Sequence, residues 1–242
     1  MFKSILTASI LSLAMFSANA SEGKASVFVE ASSDALYRGQ SVTDGKPAVS
    51  AGLRLTDLVV DGTFVNLQGT THDLGNLDSD GTIRTDLEVG YGRTFADRYS
   101  LSASVARVTN PVLYSANYTE ARLDGAVRLT DKLFATGQYA QILTKEVGND
   151  RYASLGLEYK GLFVDQLSVG GKLSYQSYDL SDRTEFNNAE LFATYALTKN
   201  VEAFGLYSWG GKSFGHAVDA FDVKFAKSDI GDHGQVGVRV RF

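Results

Sequence analysis

In the stretch GTIRTDLEVGYG, residues 81–92, Ile83, Thr85, Leu87, Val89 and Tyr91 fall on one parity and Arg84, Asp86, Glu88, Gly90 and Gly92 on the other. Successive side chains of a strand point to opposite faces, whereas a helix would wrap those charges around its whole circumference. The stretch is therefore a strand that meets two different environments. The same period of two returns in ARLDGAV, where Ala121, Leu123 and Val127 oppose Arg122, Asp124 and Arg128. It returns in RYASLGLEY, in QLSVGGKLSYQ and, less cleanly, in AELFATYAL. A chain built this way is all-β.

Twelve such strands are predicted, near 25–37, 47–55, 58–68, 82–92, 98–109, 117–128, 132–143, 151–160, 166–177, 187–197, 200–209 and 234–242. Most have the length of a tilted membrane strand, roughly 9 to 11 residues. The third and seventh are ambiguous, because FVNLQ and LFATGQYA do not separate into two faces. Short links at 55, 93, 129, 160 and 197 alternate with longer polar loops, the longest from Gly210 to Asp232. Short periplasmic turns and longer extracellular loops are the asymmetry of an outer-membrane barrel. A soluble β-sandwich also alternates, with its apolar face turned to a core. Aromatic placement separates the two: Tyr91, Tyr99, Tyr159, Tyr195 and Phe242 lie beside the short turns, while Tyr37, Tyr175, Tyr207 and Trp209 lie near the long loops. Two belts are the girdles of a membrane barrel. The expected fold is a transmembrane antiparallel β-barrel of about twelve strands.

The first twenty residues carry Lys3, an apolar run from Ile5 to Phe16 and Ala18-Asn19-Ala20, the pattern of a secretory signal peptide with its cleavage site. Residues 1–20 are thus expected to be a signal peptide and 21–242 the barrel. The run is too short for a membrane-spanning helix, which needs about twenty residues. With no cysteine in 242 residues, an exported chain holds together by backbone pairing and burial rather than by disulfides. A net charge of −5 gives no footprint for nucleic acid.

The segment SDALYRGQSVTDGKPAV, from Ser33 to Val49, resembles the start of the bacterial Gcw_chp family, the TorF-type porins. The resemblance rests on Ser33, Tyr37, Arg38, Gly39, Ser41, Asp44, Gly45, Lys46, Pro47 and Ala48. It implies an outer-membrane barrel and a pore, and carries no catalytic motif or substrate. On the residues themselves, Gly39 and Asp44-Gly45 supply turn conformations, and Pro47 opens the next strand where its missing N–H is harmless. Arg38 then either satisfies loop carbonyls or, with Lys46, binds solute at the outer mouth.

No enzyme chemistry is expected. His72, His216 and His233 share no metal-ligand spacing, and no nucleophile motif such as G-x-S-x-G occurs. NLDSDGTI mimics a calcium loop, but its twelfth position is Leu87 rather than glutamate, and it runs into a strand. Asp219, Asp222, Asp229 and Asp232 read as a hydrated loop that could fold into the lumen as a constriction. Neither a cofactor nor a metal is expected.

Function is left to the polar face. Its pore-lining candidates are Arg84, Asp86, Glu88, Glu120, Arg122, Asp124, Arg128, Glu158, Lys172, Glu190, Arg239 and Arg241, with Glu30 and Arg54 beside them. Acids and bases are balanced, and inward Gly90, Gly92, Gly156, Gly170 and Gly237 are expected to leave room for water. This predicts a narrow porin-like channel for passive diffusion of small hydrophilic solutes. The alternative is a closed structural or adhesion barrel with a charge-paired lumen and no transport. Expected partners are outer-membrane lipid and lipopolysaccharide, the solutes themselves, and the barrel-assembly machinery. The resemblance of QVGVRVRF to barrel C-termini makes the terminal aromatic Phe242 the assembly signal.

Overall fold

The structure is a computed structural model that describes residues 25–43, 45–72, 82–109, 117–144, 150–178, 184–210 and 232–242. The signal-peptide residues, the calcium-loop mimic, His216 and most of the 210–232 loop lie outside the described residues. Twelve antiparallel strands close into a barrel: β1 (Ala25–Ser32), β4 (Ala48–Thr56), β5 (Thr63–His72), β6 (Thr82–Phe95), β7 (Tyr99–Thr109), β8 (Tyr118–Arg128), β9 (Leu133–Ile142), β10 (Arg151–Lys160), β11 (Leu167–Tyr178), β12 (Thr184–Ala196), β13 (Val201–Gly210) and β14 (His233–Arg241). Each strand pairs with its neighbours in sequence, and β1 against β14 closes the ring. Phe242 and Val27 exchange backbone hydrogen bonds of 2.9 and 3.1 Å at the short-turn end of that seam. A separate two-stranded hairpin, β2 (Leu36–Tyr37) with β3 (Gln40–Ser41), belongs to no wall of the barrel.

The wall is inverted relative to a water-soluble protein. Along β6, Glu88 is 6% exposed while its neighbour Val89 is 55% exposed. Arg84, Asp86, Glu120, Glu190 and Arg239 are buried inward, and Leu87, Leu101, Leu123, Leu157 and Leu173 are exposed outward. An outward face of this kind is stable only against an apolar surrounding. Tyr91, Tyr99, Tyr159 and Tyr195 ring the short-turn end, and Tyr175, Tyr207 and Trp209 stand outward nearer the long-loop end.

Two expected boundaries move. The strand expected at 58–68 begins at Thr63, because Asp57 (φ 57°) and Gly62 (φ 95°) enter the left-handed region and close a turn around Leu58-Val59-Val60. Asp57 N donates to Thr63 O at 2.7 Å, and Gly62 N donates to the Asp57 carboxylate at 2.7 Å. The strand expected to run to residue 37 ends at Ser32, and the chain from Ser33 to Pro47 turns into the barrel.

Of the glycines expected inward, Gly90, Gly170 and Gly237 are not water-filled gaps, whereas Gly92 borders a cavity. Phe28 faces Gly52, Phe64 faces Gly90, Phe192 faces Gly170 and Phe204 faces Gly237 across adjacent strands, each ring lying where a Cβ would stand. A Cβ added at Gly90 would meet the Phe64 ring at 2.5 Å and Ala103 O at 2.7 Å. The ring covers backbone that glycine leaves bare, so each pair fills the lumen wall with a flat aromatic. Gly90→Ala should therefore overpack the wall and cost about 1–3 kcal/mol. Urea unfolding in detergent measures this, and Phe64→Leu in the same chain should recover part of the loss.

Candidate functional site

The functional features converge on the segment between β1 and β4. Ser33 N donates to Val236 O at 2.8 Å, and Val236 N donates to Ser33 Oγ at 3.1 Å, so the segment leaves the wall pinned to β14. The Asp34 carboxylate then organises its base. One oxygen accepts from Ala35 N at 2.6 Å, Ser41 Oγ at 2.7 Å and Thr43 Oγ1 at 2.8 Å. His233 Nδ1 on β14 lies 3.7 Å from the other oxygen. Three donors on one buried carboxylate oxygen give a rigid stem.

At the tip, Arg38 (φ 54°) and Gly39 (φ 82°) form a two-residue turn with both central residues left-handed, the geometry that continues the twist of its strands. An arginine there costs roughly 1–2 kcal/mol. Its contacts offset this. Arg38 Nη2 donates to both oxygens of Glu120 on β8, at 3.0 and 2.9 Å, and the guanidinium lies 4.5 Å from the Tyr152 ring on β10. Arg84 stacks 3.7 Å from the Tyr37 ring, and the Tyr37 and Tyr118 hydroxyls are 3.2 Å apart. Gly39 packs against Asn188 so closely that no Cβ fits, and its carbonyl accepts from Ser208 Oγ at 3.4 Å.

These partners lie on β6, β8, β10, β12 and β13 and so span most of the ring; β8 and β10 stand across it from β1 and β4, where the hairpin departs. All of them sit near the long-loop ends of their strands. The hairpin is therefore a bar laid across the long-loop half of the lumen. Below it are two cavities of about 310 and 360 Å³ that extend toward the short turns. The first is lined by Glu158, Glu190, Phe192, Glu202 and Arg241, the second by Arg54, Asp124 and Gln138, and Lys172 borders both.

The expected lumen residues fall into networks. Arg122 donates to Glu120 at 2.6 Å and to Asp86 at 2.7 Å, and lies 3.6 Å from Glu88. Glu88 also accepts from Ser104 and Asn66. Lys172 pairs with Glu190 at 2.9 Å. Arg239 bridges Glu30 and Glu202, and Arg241 donates to Glu202 at 2.8 Å. Asp124 accepts from Gln138 at 2.7 Å. Arg128 stands apart, exposed at the short-turn end, where its carbonyl accepts from Arg98.

Among the described residues the Arg38 guanidinium meets a carboxylate on the far wall, Glu120, rather than the loop carbonyls expected for it. Tyr37 likewise leaves the outer girdle for the lumen, because it travels with that turn. Asp34, Tyr118, Tyr152, Asn188 and Ser208 were not singled out in the sequence, and His233 was weighed there only as a metal ligand. For Tyr118 and Tyr152 a signal existed, since each is an aromatic on the polar parity of its strand, where a lumen partner is needed to occupy it. Among the described residues no group of His, Asp and Glu is arranged to hold a metal ion.

The architecture so defined is a closed twelve-stranded antiparallel β-barrel with a polar lumen. No family model matches the chain, and no curated protein is similar to it in sequence. Among solved structures it is similar to the KdgM porin, with 13% identity over 90% of this chain and 99% of that one at a TM-score of 0.58. KdgM in complex with disordered oligogalacturonate gives 13% identity over 90% and 99% at a TM-score of 0.59, and the NanC porin gives 10% over 89% and 98% at 0.59. At these identities the likeness is one of fold.

Proposed function

We propose that this chain is an outer-membrane channel for passive diffusion of small hydrophilic solutes, with the inward hairpin as its constriction. The supporting observation is the polar lumen, whose two cavities run from the short-turn end and are lined by charged side chains, with Lys172 bordering both. Lumen acids and bases face each other, so a passing polar molecule exchanges water for fixed dipoles. The oligogalacturonate bound to KdgM is an acidic sugar chain; the matched charges here give no reason to assign an anionic solute to this lumen. In this reading residues 1–20 are a signal peptide, residues 33–48 are the motif shared with the Gcw_chp family, and the outward face meets lipid and lipopolysaccharide. Phe242, on the closing seam, is the signal read by the assembly machinery.

Conductance of the purified protein in planar bilayers tests the channel, and no single-channel steps at any voltage would sink it. Where steps appear, Arg122→Gln should shift selectivity toward cations, because Asp86, Glu88 and Glu120 then share one cation fewer. An unchanged permeability ratio would remove that cluster from the conduction path. The second reading, a closed structural barrel, is favoured by the buried bidentate contact of Arg38 with Glu120, which locks the bar in place.

A further inference from the structure

Five short turns join the strands at one end of the barrel. Three are tight: 96–98, 129–132 and 197–200. The other two, 57–62 and 161–166, run to six residues and carry apolar tips. Val59 is 86% exposed and Phe163 91% exposed, with Val60 and Val164 beside them. Phe163 also has φ 63°, a left-handed conformation that an aromatic side chain adopts only at a cost. The turn's backbone hydrogen bonds hold that conformation, while the ring itself, 91% exposed, packs against almost nothing in the protein.

From these features we infer that the two turns are feet, seated in the headgroup and upper acyl region of the phospholipid leaflet at the short-turn end. The inference rests on the membrane reading above. Ring order supplies the first argument: the β4–β5 and β10–β11 turns are six strands apart in a ring of twelve, on opposite sides of the barrel. A single protein partner or a second copy would gather apolar residues on one side, whereas a lipid leaflet surrounds the barrel and meets both. Continuity supplies the second. Leu157 and Tyr159 of β10 lead the outward apolar band directly into Phe163, and Leu53 of β4 leads it toward Val59. Charge is compatible with this: Lys132 holds the 161–166 turn through Gly161 O at 3.3 Å and pairs with its exposed Asp165 at 3.5 Å. An aromatic tip beside such a turn suits the membrane interface.

Trp209 is the sole tryptophan, so a Trp209→Phe background is dark. In it, Phe163→Trp, Val59→Trp and, as a mid-wall control, Leu157→Trp are reconstituted in phosphatidylcholine–phosphatidylglycerol vesicles containing lipids brominated at shallow or deep acyl positions. Both turn reporters should emit to the blue of a water-exposed indole, lose most intensity to the shallow bromines, and resist acrylamide. Leu157→Trp should be quenched by the deep bromines. Turn reporters that emit like free indole and are quenched by acrylamide alone, while Leu157→Trp is quenched by bromine, would overturn the feet and leave the membrane reading intact. An unquenched Leu157→Trp in a correctly folded barrel would overturn both. Single-channel conductance bears on neither readout, so the channel stands or falls separately.

Discussion

Replacing residues 33–47 by an Asn-Gly turn is expected to raise the single-channel conductance by a factor of several. The replacement is geometrically available, because Ser32 and Ala48 are direct partners in the β1–β4 register. Two residues with both φ values positive join directly paired strand ends, and Asn-Gly supplies them. What leaves is the bar itself: the Asp34 stem, the Arg38 tip and the Tyr37 ring that covers Arg84. What remains is a barrel whose ladder from β4 to β14 is unchanged. Glu120 keeps Arg122 at 2.6 Å, so the emptied lumen gains water without stranding that carboxylate. Planar-bilayer recordings of the two proteins under one salt condition provide the measurement. Equal conductance would show that the hairpin lies outside the conduction path.

Glu120→Gln should release the hairpin while leaving the wall assembled. The side chains of Arg38 and Glu120 are 9% and 0% exposed. Removing one partner of a buried ion pair costs about 3–5 kcal/mol, most of it the cost of a buried charge left alone. Arg38 can escape that cost by swinging out to water, which the wall residues cannot do. The docked state should therefore lose roughly two to four powers of ten in population, at about 1.4 kcal/mol for each tenfold. Limited trypsin digestion reads this directly, since cleavage after Arg38 requires the tip to leave the lumen. Rapid cleavage in Glu120→Gln, against resistance in the parent, is the expected pattern. Equal resistance in both would show that the stem, rather than the tip, holds the bar.

Most of the wall was legible because its information is local. Alternation in β6, β8, β10 and β11 depends only on neighbouring residues, and the short turns follow from composition. The strands that resisted reading share a cause. FVNLQ, LFATGQYA and AELFATYAL each place a phenylalanine on the polar parity: Phe64, Phe134 and Phe192. Two of these rings lie over a glycine of the next strand, and Phe134 lies under Lys160 at 4.5 Å. A period-two reading sees an apolar residue out of place, since the glycine or lysine that accepts it is more than twenty residues away.

The lumen bar failed to show for the same reason at longer range. Tyr37-Arg38-Gly39 was legible as a turn, but its direction is decided by Glu120, Tyr152, Asn188 and Ser208, which are 82 to 169 residues distant along the chain. The charges of the lumen could be assigned to one face, yet which acid meets which base is set by register around the ring.

The register between Ser32 and Ala48 has a consequence for how such proteins can diverge. A stretch whose two ends already touch is free to lengthen, shorten or change sequence without shifting any neighbouring strand. Wall and hairpin are then separate heritable parts, one set by the register of twelve strands and the other by the contacts its tip makes inside them.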